Sequence, residues 1–233
     1  MKKINITLFV LIIVLLNQVN AQVVTFENRE FELSNVKASV VIFNGQQVLK
    51  VERDLEKLPF DSTRMESTVD EPTFVKLKDL NFENGTIEVK MYSQIQKPSP
   101  FKEARGFIGL TFRVDDTNTT FESIYLRPTN GRSENQVRRN HTVQYYSYPD
   151  YKFNRLRTAY PEMYETYANI GLEEWITMRI KIQGEKVYLY LNNLPYPAFI
   201  VDKTLGNNRL GSIGLWIDIG TIGYFKELKI TKD

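Results

Sequence analysis

The chain has no cysteine in its 233 residues. Disulfides, a thiolate metal site, a cysteine nucleophile and a lipid-anchored cysteine are thereby excluded. Histidine is nearly missing too. His141 stands alone, which argues against zinc, whose sites draw on several His or Cys ligands. No Gly-rich phosphate loop appears, and no Ser-His-Asp ordering is distinctive enough to name. Helical periodicity is scarce. The one long apolar run, Leu8 to Leu16 in MKKINITLFVLIIVLLNQVNAQ, is about half the roughly 20 residues a spanning helix needs, so no membrane insertion is expected.

That run, with Lys2 and Lys3 ahead of it and Val19 and Ala21 at the small-residue positions behind it, reads as a secretory signal peptide over residues 1–21. Cleavage after Ala21 leaves one domain, residues 22–233, in the periplasm or outside the cell. An excess of one charge is lacking as well. Of 30 Lys and Arg, two leave with the signal, and the remaining 28 balance 28 Asp and Glu. Nucleic-acid binding usually shows as a net basic domain, so that partner is not expected.

What is present is two-residue alternation from one end to the other, the period of β-strands. GFIGLTFRV (106–114) sets Ile108, Leu110, Phe112 and Val114 against Phe107, Gly109, Thr111 and Arg113. WITMRIKI (175–182) and KVYLYLNN (186–193) repeat the scheme around a turn at Gly184, where a tight hairpin needs positive φ. Asn84-Gly85 reads as a second hairpin signal. SIGLWIDIG (212–220) and YFKELKIT (224–231) read as strands joined near Gly223. With FENREFEL, SVVIFNGQQVLKVE, TFVKLKDL and TIEVKMY, the pattern predicts about ten strands. Residues 96–105 and 128–138 read as loops, and residues 156–171 as room for one short helix limited by Pro161. Trp175 is expected in the core. The fold class is all-β, a two-sheet antiparallel sandwich.

If one parity packs between the sheets, the other faces outward and supplies Arg113, Arg127, Arg179, Tyr188, Tyr190, Trp216 and Asp218. In HTVQYYSYP either Gln144, Tyr146 and Tyr148 or His141, Val143 and Tyr145 point out, since a one-residue slip swaps the sets. Such a face suits carbohydrate. The C–H face of a pyranose stacks on an aromatic ring, while its hydroxyls take planar donors and acceptors from Arg, Gln, Asn and Asp. The alternative is a set of ordinary cross-strand pairs on a solvated sheet, each worth about 0.2–1 kcal/mol. DDTN (115–118) offers oxygen ligands in a loop and makes Ca²⁺ a possible ion; no other cofactor is expected.

The segments RGFIGLTFRVDD, FESIYLRPTNGR, QVRRNHTVQYYSYPDY, EEWITMRIKIQGEKVYLYLNN and GSIGLWIDIGTIGYFKELKIT resemble secreted bacterial proteins of the concanavalin A-like lectin/glucanase superfamily. Within it they are most similar to the domain family labelled 3-keto-disaccharide hydrolase, from about Arg105 to the C-terminus. The resemblance implies a jelly roll whose concave sheet receives an oligo- or polysaccharide, with Asn130 of YLRPTN among the ligand residues. The paired-carboxylate strand of glucanases on this fold is missing: ESTVDE (66–71) has the letters without the spacing.

The keto-sugar route asks for less. A ketone at C3 acidifies the C2 proton, so one base and one cation to hold the enolate suffice. His141 is the candidate base because its ordinary pKa lies near neutrality, with Arg127 or Arg113 as stabiliser. Glu122, Asp150 and Glu165 are carboxylate substitutes. Three functions follow in order: an exported glycan-binding protein, a 3-keto-glycoside hydrolase or lyase, and a structural or adhesive envelope protein. Oligomeric state, sugar and linkage are not encoded in any motif.

Overall fold

A computed structural model describes residues 22–233. The expected signal peptide, residues 1–21, lies outside them. The strands are β1 (Val23–Phe26), β2 (Arg29–Ser34), β3 (Val36–Phe43), β4 (Gln46–Arg53), β5 (Phe74–Leu77), β6 (Gly85–Ile95), β7 (Ile108–Val114), β8 (Phe121–Leu126), β9 (Val143–Tyr148), β10 (Glu165–Thr166), β11 (Ile176–Gln183), β12 (Lys186–Leu191), β13 (Phe199–Val201), β14 (Ser212–Ile217) and β15 (Thr221–Lys232). Three short helices interrupt them: α1 (Pro128–Gly131), α2 (Gln136–Asn140) and α3 (Phe153–Ala159).

The strands form two antiparallel sheets. One runs β1-β2-β5-β14-β7-β8-β9-β10, the other β13-β12-β11-β6-β15-β4-β3. Fifteen strands replace the expected ten because pieces as short as β10 and β13 carry too few residues to show alternation. The two loops expected at 96–105 and 128–138 differ. The first has no regular element, while the second holds α1, with Pro128 at its first turn, and α2, whose first turn is capped by the Asn135 side chain accepting from Arg138 N. The third helix ends at Ala159, ahead of Pro161, whose ring cannot continue it.

The interior between the sheets is made by the expected apolar parity. Ile108, Leu110, Leu215 and Ile217 of the first sheet meet Val89, Met91, Met178 and Ile180 of the second, all essentially inaccessible. Each contributes about 1.5–3 kcal/mol by leaving water. The second sheet behaves as half-buried strands should: in β11 the buried Ile176, Met178, Ile180 and Ile182 alternate with half-exposed Thr177, Arg179 and Lys181.

The first sheet does not alternate. β7, β8 and β14 are buried at every position, so both of its faces are covered. The cover is the connection from β4 to β5, residues 54–73, together with residues 96–107 and α3. Two glycine readings also change. Gly85 opens β6 and pairs with β11 and β15 rather than closing a hairpin. Gly223 lies inside β15, and β14 and β15 belong to different sheets. A Cβ at 223 would come 2.5 Å from Ile217 of the facing sheet, so this glycine serves sheet-to-sheet contact. The Gly184 turn between β11 and β12 is as expected, at φ 60°.

Candidate functional site

The register of the first sheet resolves which set of HTVQYYSYP shares a face with β8. Phe121 pairs with Tyr148, Ser123 with Tyr146 and Tyr125 with Gln144. Trp216 pairs with Gly109, and Gly109 with Tyr125. The side of the sheet turned away from the core is therefore an aromatic floor. Tyr125 and Trp216 have ring centroids 4.8 Å apart, Tyr125 and Tyr146 5.7 Å, and Phe121 and Tyr148 stack at 5.0 Å.

Most of this floor is sealed. The roof segment is pinned to it by Trp216 Nε1 donating to Glu71 O at 2.9 Å and Tyr148 Oη donating to Glu71 at 3.1 Å. A buried ion pair completes the clasp. Arg53 Nη1 donates to Asp218 Oδ1 at 2.9 Å and to Thr68 O at 2.6 Å, while Asp218 Oδ2 accepts from Asp70 N at 2.9 Å. Burial pushes the Asp218 carboxyl up, against the pull of Arg53.

At one end the roof leaves a cleft of about 220 Å³. Its apolar walls are Met65, Val69, Phe101, Phe107 and Phe153, and Tyr125 forms its base. The polar side comes from Asp70, Glu103, Arg105, Arg127, Asn130, Arg138, His141, Arg157 and Asp218. Arg127 is held from three directions. It donates to Tyr125 Oη at 2.5 Å and to His141 O at 3.1 Å, and it faces Gln144 Oε1 at 3.4 Å. Its guanidinium carbon also lies 5.8 Å from the Phe153 ring centre, and that of Arg157 lies 5.1 Å from the same ring. Asn130 Nδ2 donates to His141 O at 3.2 Å and its Oδ1 accepts from Arg138 at 3.4 Å.

The titratable groups of the cleft are perturbed by burial. Asp70 is pushed up to about 6, chiefly by desolvation, with the neighbouring Asp218 adding to it and the backbone N–H of Phe153, Arg127 and Lys152 opposing it. His141 is pushed below its usual value, first by burial and then by Arg157, against Glu165. Its Nδ1 lies 2.6 Å from Glu165 Oε2. At that distance Glu165 opposes the lowering of the His141 pKa, both by its charge and as a hydrogen-bond acceptor. Glu165 also holds Arg157 Nε at 2.9 Å.

The sequence candidates distribute as follows. Arg127, Asn130, His141 and Asp218 line the cleft, with Glu165 behind His141. Gln144, Tyr146 and Trp216 share the floor's face but are buried, Gln144 behind Arg127 and the two rings under the roof. Arg113 is not on this face. It adopts φ 54° where the register of β14 against β7 shifts, and this bulge turns its side chain to Gly184 O and, at 3.2 Å, Thr204. Glu122 faces the opposite side of β8, where it accepts from Tyr145 Oη and, at 2.8 Å, from Gly206 N; burial pushes its carboxyl up. It lies away from His141, as does Asp150 in a separate depression near Gly206.

Arg179, Tyr188 and Tyr190 stand on the outer surface of the other sheet, where Arg179 covers the Tyr190 ring at 4.3 Å. A shared odd-even parity cannot tell one sheet from its partner, so the sequence pooled them with the cleft residues. Trp175 is half-buried on that same outer surface, with Lys226 Nζ 4.1 Å from its ring centre. The DDTN turn closes on itself: both Asp115 oxygens accept from Thr119 and Thr120. Among the described residues no group of three or more His, Asp or Glu gathers.

Asp70, Arg105, Phe107, Arg138, Phe153 and Arg157 line the cleft without having been candidates. The available signal was the length of the 54–73 connection. A loop of that size without strand pattern inside a compact domain is commonly functional.

The fold is a concanavalin A-like two-sheet jelly roll carrying a roofed cleft on its larger sheet. Among solved structures it is similar to a carbohydrate binding module, CBM66, from Bacillus subtilis, with TM-score 0.51, 10% identity, and coverage of 84% of this chain and 94% of that one. A putative glycosyl hydrolase from Parabacteroides distasonis matches at TM-score 0.47 and 12% identity over 87% and 85% of the two chains. The β-glucanase of Bacillus licheniformis matches at 0.44 and 12% over 85% and 83%. At such identities the likeness is one of fold. No family model and no curated protein sequence matches the chain.

Proposed function

We propose that this protein is exported and binds carbohydrate in the cleft above Tyr125. The observation that carries the reading is the pairing, in one partly enclosed site, of aromatic walls with planar polar groups. The half-buried Phe107 and Phe153 offer ring surface, and Arg127, Asn130 and Asp70 offer fixed donors and acceptors beside it. Arg127 is oriented before any ligand arrives, which lowers the ordering cost of binding. That the structure similar to it at TM-score 0.51 is a carbohydrate binding module is consistent with sugar as the ligand class. Affinity-gel retardation across a polysaccharide panel tests it. Retardation is expected for the purified protein and is lost in Arg127→Ala and Asn130→Ala; no retardation of the unaltered protein by any polysaccharide counts against it.

A second reading, hydrolysis or elimination of a 3-keto-glycoside, is favoured by one specific feature. His141 borders the cleft, is kept neutral near pH 7 by burial, and has Glu165 at its Nδ1. A neutral imidazole is the form that removes the C2 proton, and the Arg127 guanidinium, on the same side of the cleft, stabilises the enolate oxygen. Release of the aglycone from a 3-keto-glucoside by the unaltered protein, but not by His141→Ala, is the expected result.

A further inference from the structure

The charges around the cleft do not cancel. Arg105 is paired with Glu103, Arg157 with Glu165 at 2.9 Å, and Asp218 with Arg53 at 2.9 Å. Lys152, beside Asp70, is paired with Glu71. Two guanidiniums remain. Among the described residues neither Arg127 nor Arg138 has a carboxylate at ion-pair distance, and the buried Nε of Arg138 has no hydrogen-bond partner at all. Asn130 touches both through its neighbours, accepting from Arg138 and donating to the carbonyl that Arg127 also binds, so the two cations flank one spot. Among the described residues Asp70 is the one acid of the cleft wall without a cation at ion-pair distance; titrating at about 6, it is mostly ionised at neutral pH and offsets one of the two guanidiniums, which leaves the cleft one positive charge in excess.

The buried Arg127 guanidinium is met by neutral acceptors alone, and with Arg138 half-exposed beside it an anion placed between the two gains from both charges. The planar fork of a guanidinium matches an oxyanion with two coplanar oxygens. Resting on the carbohydrate reading above, we infer that the cleft takes an acidic sugar: its oxyanionic substituent, a uronate carboxylate or a sulfate ester, sits between Arg127 and Arg138. The pyranose ring then lies toward Phe107 and Phe153. A neutral sugar leaves the excess positive charge uncompensated and binds more weakly.

The test uses pairs in which the oxyanion is present in one member and masked or missing in the other. Polygalacturonate is compared with its methyl ester, and dextran sulfate with dextran, by affinity electrophoresis and calorimetry at low and at moderate salt. Expected is retention of one acidic member at least about tenfold stronger than its neutral partner, the scale of a lost charge-assisted contact, and weakening as salt rises. Which acidic member is retained distinguishes carboxylate from sulfate. Arg138→Gln should erase the preference; this residue is half-exposed, so its folding is not in question, whereas Arg127→Gln also disturbs Tyr125 and Gln144. Arg179→Gln, on the other sheet's outer surface, should leave it intact. Equal retention of acidic and neutral members, or a preference that survives Arg138→Gln, overturns the inference while the sugar reading stands. Absence of retention by every glycan, acidic or neutral, overturns both.

Discussion

Asp70→Asn isolates the energetic cost of the cleft's buried acid. In the folded protein Asp70 titrates at about 6, against 3.8 for the free side chain. Two units correspond to about 3 kcal/mol between the protonation states. The folded state binds the proton more tightly than the unfolded chain, so the associated stability is fully present below about pH 4. It is lost as pH rises through 6. Asparagine keeps the acceptor for Phe153 N, which Asp70 Oδ2 holds at 2.9 Å, and it tolerates the backbone, which has φ 54° there. Urea unfolding of both proteins should then give similar stabilities at pH 4, with the variant ahead by about 3 kcal/mol at pH 8. A gap that stays constant with pH, or a variant less stable at pH 8, refutes the assignment of a desolvated carboxyl at this position.

Other perturbations have defined outcomes. Arg53→Met strands Asp218 in the interior and should cost about 3–5 kcal/mol in chemical denaturation, whereas Arg53→Met combined with Asp218→Leu should recover most of that; a double variant no better than the single one contradicts the clasp. If a 3-keto-glycoside is turned over, the acid limb of its rate should fall below pH 6.5, since burial depresses His141; a limb above that value excludes His141 as the base. Tyr190→Ala on the outer surface should leave glycan retardation unchanged and shift stability by no more than about 1 kcal/mol, and a loss of retention there would relocate the site.

Strand alternation made the sandwich legible, because an apolar parity must be buried wherever two sheets face each other. Ile108, Leu110, Met178 and Ile180 were assigned to the core on that ground, and the structure buries them. Alternation also placed Arg127 with Trp216: Arg127, one residue past the paired end of β8, rests on Tyr125, and Tyr125 faces Trp216 across Gly109. It carried no information on what lies above that face. Arg53 and Asp218 are 165 residues apart, and no local pattern announces that they meet. Arg113 left the shared face through a bulge, which a strict period of two cannot represent. The two sets that the sequence could not choose between in HTVQYYSYP were separated only by pairing with β8, a non-local fact.

Gly109 sits between Trp216 on one neighbouring strand and Tyr125 on the other. Lacking a side chain, it lets the two rings lean together across it, and a methyl group there would come 2.6 Å from the Tyr125 Cα. The close contact of the two rings at this point therefore depends on the absence of one carbon atom. A side chain there would press on the Tyr125 strand and disturb the Arg127 head group that rests on the Tyr125 ring.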